Sequence, residues 1–409
     1  MKNISIILGC GFGDEGKGMM VNHLCKSKNG KSLVIRFNGG HQAGHTVVLE
    51  AGARHVFSSF GSGTLQKADT YWSKYCTVYP PGFLREWDQL KELGYNPAIY
   101  IDAMCPVTTP FDVYLNQDYE ESLENDRHGS CGVGFGNTIE RHETLLYSYR
   151  IFAKDLKYEW ILREKLLQLA KFYRFSNIQK VAIEKFIDDS FEFTKHVEIV
   201  SEKDFFLFEY PRYSNIIFEG AQGILLDRDH GIFPHVTRSH TTSKNAWEII
   251  QRNGLCNSNI VSGGIINGKD ITIYYVTRCY QTRHGAGPLL GEEFDFELDN
   301  TENETNKLGK YQGEFRKAPF SFELFRYARE ADVQYHPANI LGIEKKIVFT
   351  CLDQFNKEIP IVGNGEMKWI SKKKFLSVFE FPIIECDSPI GPEILHEEAV
   401  EELSDLLYA

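Results

Sequence analysis

The sequence lacks the features that mark secreted, zinc-bound or membrane proteins. Its nine cysteines are odd in number and form no Cys-x-x-Cys pair, which argues against a disulfide framework or zinc site and fits reduced thiols in a cytosol. No stretch approaches the ~20 apolar residues that span a bilayer. The N-terminal apolar run, Ile4–Leu8, is too short for a signal peptide. We therefore expect a cytoplasmic protein with no membrane contact.

The sequence also lacks an excess of basic residues. The chain carries 45 Lys and Arg against 56 Asp and Glu, a net charge of −11, whereas proteins that bind phosphate backbones present a basic face. No nucleic-acid partner is expected, although a local basic pocket can still hold one nucleotide. The 409 residues contain no repeat, low-complexity tract or clear linker. We expect one domain over residues 1–409, with helical and loop insertions.

Short apolar runs alternate with helical patterns along the chain. The runs with strand character are Ile4–Leu8, Leu33–Phe37, Ala98–Ile101, Ile216–Phe218, Ile271–Val276 and Ile347–Cys351. This alternation predicts an α/β fold with a large, mainly parallel central sheet flanked by helices. Ligands of such folds bind at the carboxyl ends of the strands, and the glycine-rich turns of this chain follow such ends.

The first glycine loop fits two motifs. Gly11–Gly16 matches G-x-G-x-x-G, and the same glycines followed by Lys17 match the first part of a P-loop. A dinucleotide site needs an acid after the second strand, but that strand runs into Asn38. The P-loop interpretation explains Lys17 as a phosphate partner, but Gly18 stands where a P-loop has the Ser or Thr that binds Mg²⁺. A metal ligand must then come from elsewhere, and Asp14 is the nearest candidate.

The second glycine-rich turn, Gly39–Thr46, carries two histidines. An imidazole titrates near neutral pH and can donate a proton or a positive charge. Together the two loops predict the phosphate-handling and catalytic half of a nucleotide-dependent enzyme.

Four motifs in sequence order carry a resemblance to a known family. They are G-x-x-x-G-D-E-G-K-G at Gly9–Gly18, R-x-x-G-G-x-N-A-G-H-T at Arg36–Thr46 with Gln for Asn, F-E-G-A-Q-G-x-L-L-D-x-D-H-G-x-x-P-x-V-T at Phe218–Thr237, and T-R-x-G-A-G-P at Thr282–Pro288. The sequence resembles the adenylosuccinate synthetases. The resemblance implies a P-loop-like, GTPase-related architecture and a homodimer.

The resemblance also implies a reaction. It is the Mg²⁺-dependent ligation of L-aspartate to a 6-oxopurine nucleotide, IMP, driven by GTP, giving adenylosuccinate in AMP biosynthesis. Asp14 matches the family's general base at purine N1 and a Mg²⁺ ligand, and the Gly44 carbonyl matches a second ligand. His45 matches the acid that hydrogen-bonds the phosphate at O6, and Gln222 the residue that stabilises the O6 anion.

Binding residues follow from the same matches. For the nucleoside triphosphate they are Gly13, Glu15, Gly16, Lys17, Gly18, Thr46 and Asp353. For IMP they are Gln42, Ser130, Cys131, Thr241 and Thr242. For aspartate they are Arg283, Gly313 and Arg316.

The sequence departs from the family at three of these places. Cys131 replaces one threonine of a phosphate-binding pair, and Tyr311–Lys317 retains two of the four positive residues of the aspartate loop. Thr350–Asp353 has Cys351 where the family has a lysine that packs on the base. We expect aspartate and GTP as substrates, with ATP as the alternative triphosphate.

Three rival functions remain. A relative resembling the phage 2-aminoadenylosuccinate synthetases would take dGMP with ATP or dATP, although such relatives often carry a smaller residue in place of Asp14. The other two are an NAD-dependent oxidoreductase and a non-catalytic purine nucleotide sensor.

Overall fold

A computed structural model describes residues 2–26, 30–49, 52–123, 129–144, 149–174, 179–256, 260–262, 265–299, 313–379 and 381–388. The strands are β1 (Asn3–Gly9), β2 (Ser32–Arg36), β3 (His45–Val48), β4 (Arg54–Phe57), β5 (Asp69–Trp72), β6 (Ile99–Asp102), β7 (Glu198–Val200), β8 (Asn215–Gly223), β9 (Ile260–Ser262), β10 (Ile265–Asn267), β11 (Ile271–Arg278), β12 (Gln281–His284), β13 (Phe315–Ala318), β14 (Ile340–Leu341), β15 (Glu344–Thr350), β16 (Glu358–Gly363), β17 (Glu366–Ser371) and β18 (Ile383–Glu385). The helices are α1 (Lys17–Cys25), α2 (Pro80–Glu92), α3 (Pro110–Ser122), α4 (Phe135–Glu143), α5 (Glu159–Phe172), α6 (Gln179–Thr194), α7 (Glu202–Asp204), α8 (Lys244–Arg252), α9 (Phe322–Val333) and α10 (Lys372–Ser377).

The central sheet has nine strands in the order β18-β15-β11-β1-β8-β2-β5-β6-β7. Every neighbouring pair in it is parallel. Strand β1 lies in the middle, with Ile6 opposite Ile273 of β11 on one side and Phe218 of β8 on the other. The predicted α/β class with a parallel central sheet is confirmed.

Apolar residues cover both faces of β1. Ile4, Ile6 and Leu8 pack into the larger core, which includes Trp247 of α8. Ile7 points to the opposite face, against a cluster that α1 contributes to through Met19, Met20 and Val21. Because successive side chains of a strand alternate between faces, a run of apolar residues is what a strand covered on both sides requires.

A second apolar core lies at the β5–β6–β7 end of the sheet. Helices α2, α5 and α6 pack there through side chains that include Phe83, Leu166 and Phe186. Beside them Arg141 of α4 forms a buried ion pair with Asp112 of α3 at 2.8 Å. Among the helices that the structure describes, none combines the length and apolarity needed to cross a bilayer.

The parallel arrangement gathers several loops at one edge of the sheet. The glycine loop follows β1, the turn containing Gln42 follows β2, and Gln222 lies in the last residues of β8. Arg278 ends β11, and Asp353 follows β15. Since the carboxyl ends of parallel strands meet at the same edge, this edge is the candidate functional site.

Candidate active site

The glycine loop folds around the side chain of Glu15. The N–H groups of Gly11 and Gly13 donate to Glu15 Oε1 at 3.0 and 2.8 Å, and Lys17 Nζ lies 2.5 Å from Oε2. Both charged side chains are 3% exposed. A carboxylate therefore already occupies the anion-binding hollow that the loop forms at the start of α1. The direct phosphate contact predicted for Glu15 remains a prediction.

Close packing around Glu15 explains two of the glycines. A Cβ at Gly9 would lie 2.4 Å from Glu15 Oε2, and one at Gly223 would lie 2.0 Å from the carbonyl oxygen of Gly11. Real Cβ atoms do not approach oxygen so closely, so larger residues would displace the loop. The third motif thus supplies, at the end of β8, the space into which the first motif folds.

Asp14 is held by two contacts in a strained backbone conformation. Its φ of +61° is unusual for a residue with a side chain. Arg278 Nε donates to its carbonyl oxygen at 2.7 Å, and His284 Nε2 lies 2.9 Å from its Oδ2. Burial alone would raise the pKa of Asp14, but the hydrogen bond and charge of His284, with Arg278 and Lys17, hold it below the ordinary value. The carboxylate is thus ionised and available as a proton acceptor.

His45 forms a buried pair with Glu219. Its Nδ1 lies 2.6 Å from Glu219 Oε1, and the side chains are 7% and 0% exposed. Ser62 supports the same carboxylate through its N–H, 3.1 Å from Oε2, and through its hydroxyl. Burial lowers the pKa of His45 and the charge of Glu219 opposes this. Burial would raise the pKa of Glu219, but His45, Arg36 and Ser62 lower it to about 2.

Helix α1 connects the two imidazole–carboxylate pairs. Asp14 lies in the loop directly before α1, and a Cβ at Gly18 in its first turn would lie 2.8 Å from the Cβ of His45. The positive charge of Lys17 acts on both Asp14 and His45. The structure thus brings the predicted base and the predicted acid to the same helix N-terminus.

Two glutamines present unsatisfied amide atoms near this point. Within the described part of the chain, the buried Oε1 and Nε2 of Gln42 and the buried Oε1 of Gln222 have no hydrogen-bond partner. Gln222 also has a φ of +63°. Buried polar atoms normally have partners, so these exceptions indicate a surface shaped for a ligand. They fit the predicted purine contacts.

Four residues predicted to bind IMP differ in the hydrogen bonds that their hydroxyl or thiol groups already make; they are Ser130, Cys131, Thr241 and Thr242. Thr241 donates its hydroxyl to the Gly223 carbonyl at 3.0 Å, whereas the buried Thr242 hydroxyl has no partner among the described residues. The hydroxyl of Ser130 accepts from Asn116 at 2.9 Å. Burial, then the charges of Asp14 and Glu120, raise the pKa of Cys131 to about 11. The hydroxyl of Thr242 is therefore not committed to another described residue, and Cys131 stays a neutral thiol.

The two arginines predicted to bind aspartate, Arg283 and Arg316, lie opposite each other on the antiparallel strands β12 and β13. Arg283 donates to the carbonyls of Ala286, Pro288 and His235 at 2.9 to 3.2 Å. Burial and the neighbouring Arg316 lower the pKa of Arg283 to about 10.

Arg316 is anchored in a similar way. It donates to the carbonyls of Gly285 and Gly287 at 2.6 and 2.8 Å and to Glu292 at 2.6 Å. Both guanidinium groups therefore brace the loop after β12. Their contact with a substrate carboxylate remains a prediction, as does that of Gly313, which packs against Gly285.

The loop after β15 closes the site from the other side. Thr350 Oγ1 donates to the Glu15 carbonyl at 2.9 Å, which ties this strand to the glycine loop. Cys351 follows with a φ of +58°, and its carbonyl accepts from the Cys279 thiol. Asp353 lies in the short turn just beyond, so its place at this edge is compatible with the predicted base contact.

The oxygen donors predicted for a metal are the Asp14 carboxylate and the Gly44 carbonyl. Asp14 is 28% exposed, and Gly44 lies in an exposed turn. One carboxylate and one carbonyl fit Mg²⁺, which takes few protein ligands and completes its shell with water and substrate phosphates.

Sequence reasoning missed three charged residues of the site. Glu219, Arg278 and His284 contact the predicted catalytic groups, yet none was predicted. Glu219 is the second residue of the third motif, so the motif itself could have identified it as a candidate. Arg278 lay outside the motifs, and His284 occupies a position that the fourth motif leaves open.

Comparisons with known proteins show which family the chain resembles. The adenylosuccinate synthetase family profile matches residues 6–332. The adenylosuccinate synthetase of Alcanivorax borkumensis is 30% identical over 376 residues, covering 87% of this chain and 79% of the relative. That of Proteus mirabilis is 28% identical over 335 residues, covering 78% and 71%.

Two solved structures share the fold. The fully ligated adenylosuccinate synthetase from Plasmodium falciparum superposes with a TM-score of 0.67 at 20% identity, over 90% of this chain and 82% of that one. The succinoaminodeoxyadenylate synthetase of cyanophage S-2L, bound to dGMP and dATP, gives 0.57 at 16% identity, over 87% and 86%. With the family profile matched across the loops that form the site, the chain belongs to the adenylosuccinate synthetase family and is a ligase that forms a carbon–nitrogen bond.

Proposed function

We propose that this enzyme joins L-aspartate to IMP with hydrolysis of GTP and releases adenylosuccinate, GDP and phosphate. The observation that carries the proposal is the pairing at the start of α1. An ionised Asp14 and a His45 buried against Glu219 flank the same helix N-terminus, beside the unsatisfied amides of Gln42 and Gln222. A base, an acid and polar groups for a purine are what the reaction requires at one place.

In the first step, Asp14 takes the proton from purine N1, and the electrons move onto O6. Oxygen O6 then attacks the γ-phosphorus of GTP, a new O6–P bond forms, and the bond from phosphorus to the β-phosphate oxygen breaks. His45 donates a hydrogen bond to the transferring phosphoryl group, and the Gln222 amide donates to the O6 anion. Such preorganised donors commonly supply a few kcal/mol at a developing oxyanion.

In the second step, the aspartate amine attacks C6 of the phosphorylated purine. A C6–N bond forms, the C6–O bond breaks, and phosphate leaves with both electrons of that bond. The amine proton passes to the departing phosphate, Asp14 releases the N1 proton to water, and the product is adenylosuccinate. Arg283 and Arg316, on the antiparallel strands β12 and β13 next to Asp14, are the proposed partners of the substrate carboxylates together with Gly313, because a guanidinium offers several N–H donors to a carboxylate.

Mg²⁺ is the proposed cofactor. When bound, it neutralises charge on the β- and γ-phosphates. Asp14 and the Gly44 carbonyl are the residues that would hold it. Positioning of the triphosphate falls to the proposed contacts from Gly13, Gly16, Lys17, Gly18 and Thr46, with Asp353 at the base.

We further propose a cytoplasmic homodimer. The resemblance to the family implies that each subunit lends an arginine to its partner's site, and Arg141 is unsuited to that role. Arg141 is 1% exposed on its side chain, pairs with Asp112 and donates to the carbonyls of Tyr149 and Val107 at 2.7 and 2.8 Å. Size-exclusion chromatography with light scattering would test the dimer, and a monomeric mass at working concentrations would overturn it.

A matrix of substrates tests the function. The purified chain is given IMP or dGMP, with GTP, ATP or dATP, in the presence of aspartate and Mg²⁺, and products are identified by chromatography and mass spectrometry. We expect adenylosuccinate from IMP and GTP, and none from an Asp14→Asn variant. Turnover of dGMP alone would assign the reaction of the phage enzyme instead. Binding without turnover of any purine nucleotide would favour a sensor, and NADH binding an oxidoreductase.

A further inference from the structure

We infer that His284 is a positioning residue that fixes the carboxylate of Asp14 for proton abstraction. The inference rests on the proposed function, because it assigns a role relative to the proposed base. His284 Nε2 lies 2.9 Å from Asp14 Oδ2, and the two side chains are 13% and 28% exposed. A charge-assisted hydrogen bond of this kind is strong and directional. It commits Oδ2 and leaves Oδ1 as the oxygen that takes the purine proton.

The imidazole is itself held in place. His284 is the last residue of β12 and pairs with Phe315 of β13, and the two rings pack with centroids 5.0 Å apart. The neighbouring register pair is Arg283 and Arg316, whose guanidinium groups are anchored on backbone carbonyls of the following loop. A side chain that is already held by its neighbours on paired strands can orient a partner with little further loss of rotamer freedom.

Asp14 needs such support because its own backbone does not provide it. Its φ of +61° is a conformation that surrounding contacts must maintain. Arg278 holds its carbonyl oxygen at 2.7 Å, and the Arg278 guanidinium lies over the Phe315 ring, 5.6 Å from its centroid. Phe315 therefore supports both groups that contact Asp14, one at the backbone and one at the carboxylate. Strands β11, β12 and β13 thus contribute the residues that hold the base in place.

The arrangement also links two substrate sites. His284 lies on β12, and Arg316, a proposed aspartate contact, lies on the antiparallel strand β13, one register pair away. The contact from His284 thus joins this strand pair directly to Asp14. The T-R-x-G-A-G-P motif leaves the position of His284 open, so this contact is a property of this chain's own residue.

The test compares His284→Leu with His284→Gln. Leucine removes the donor, whereas glutamine keeps an N–H at a similar reach. We expect kcat with IMP, GTP and aspartate to fall about 10- to 100-fold for leucine, as for loss of one hydrogen bond to a charged group. The KM for IMP should change less than about threefold, since the bond acts on the base and not on binding. Glutamine should restore kcat to within about fivefold of the parent chain.

A second measurement isolates the first chemical step. With aspartate omitted, oxygen exchange between bridging and non-bridging positions of GTP reports reversible phosphoryl transfer to the purine. It should slow in His284→Leu by the same factor as kcat, which excludes an effect through aspartate binding. The matched control is His196→Leu, which removes another histidine paired with a carboxylate, 3.1 Å from Glu192 at the end of α6. Its kcat should equal that of the parent chain.

Three results would overturn the inference. They are a leucine variant with parental kcat, a glutamine variant as slow as leucine while both melt like the parent, and a kcat loss without slower exchange. If leucine prevents folding, His284→Asn, whose amide is too short to reach Asp14, takes its place against glutamine. A parent chain that turns over no purine nucleotide would instead refute the proposed function.

Discussion

Replacing Glu219 by glutamine should remove most of the catalytic capacity of His45 while leaving the fold in place. The substitution keeps the shape of the side chain and changes its charge. Glu219 is fully buried and accepts from His45 Nδ1 at 2.6 Å. It also accepts from the Ser62 N–H at 3.1 Å, a bond that the glutamine carbonyl can retain. The change is therefore concentrated on the histidine.

The expected magnitude follows from the lost charge. A hydrogen bond to a charged group contributes about 1.5–3 kcal/mol, which corresponds to about 10- to 150-fold in rate. A glutamine amide that donates to Nδ1 leaves the proton of a neutral His45 on Nε2, so the imidazole can still donate to the phosphoryl group, but its positive charge is no longer stabilised. We expect kcat to fall by about 10- to 150-fold.

The pH profile should change in a defined direction. Burial lowers the pKa of His45, and the charge of Glu219 opposes that effect. Removing the charge lowers the pKa further. Protonated His45 places a positive charge beside the transferring phosphoryl group, so activity is lost as pH rises through this pKa. The alkaline limb of the profile should therefore move to lower pH in the variant.

The assay measures kcat for adenylosuccinate formation, with calorimetric binding of IMP and GTP to separate chemistry from affinity. Ser62→Ala is the control, because it removes one hydrogen bond to Glu219 and no charge; it should cost less than about tenfold. In a double-mutant cycle, Glu219→Gln should add little to His45→Asn. A Glu219→Gln kcat within about threefold of the parent, or additive losses, would refute a role through His45.

Three further predictions concern stability. Gly223→Ala should weaken nucleotide binding and lower the melting temperature, because the new Cβ would lie 2.0 Å from the Gly11 carbonyl oxygen; unchanged values would contradict the packing. Arg141→Met leaves Asp112 charged and buried, and urea unfolding should show a loss of about 3–5 kcal/mol. Burial and Arg141 lower the pKa of His142 from 6.5 to about 3. Below pH 6.5 the unfolded chain binds a proton at His142 that the folded chain does not bind until about pH 3. The free energy of unfolding therefore falls as pH falls from 6.5 toward 3, by up to about 2 kcal/mol at pH 5. His142→Gln should flatten that acid limb in urea titrations, and an unchanged slope would argue against it.

The sequence predicted the inner strands of the central sheet better than its edge strands. Each run of apolar residues that predicted a strand overlaps a strand of the central sheet, with at most one residue outside it, because a strand covered on both faces is apolar throughout. Strand β5 was missed. It begins with Asp69 and Thr70, which are buried through partners far away in sequence, such as the Tyr213 hydroxyl 2.6 Å from Asp69. The edge strands β7 and β18 have three residues each, too few for a pattern.

Motifs located the proposed catalytic groups but not the contacts that tune them. Asp14 and His45 stood out because each lies in a glycine-rich turn with a fixed spacing. Their partners His284 and Glu219 come from distant strands, the latter 174 residues away in sequence. Only the strand order places these ends together. A local pattern carries the identity of a functional group, whereas its protonation and orientation depend on contacts made in the folded chain.

The charge balance of the glycine loop bears on how the triphosphate is held. In a P-loop the lysine is the main positive charge facing the phosphates, but here Lys17 is paired at 2.5 Å with Glu15. The N–H groups of Gly11 and Gly13 also point to that carboxylate, and the second acid of the loop, Asp14, is ionised. Glu15 offsets the charge of Lys17, and Asp14 is held between His284 and Arg278. The loop therefore offers a triphosphate less positive charge than a P-loop with an unpaired lysine would. We infer that the proposed Mg²⁺, and not Lys17 alone, supplies the positive charge that the β- and γ-phosphates need.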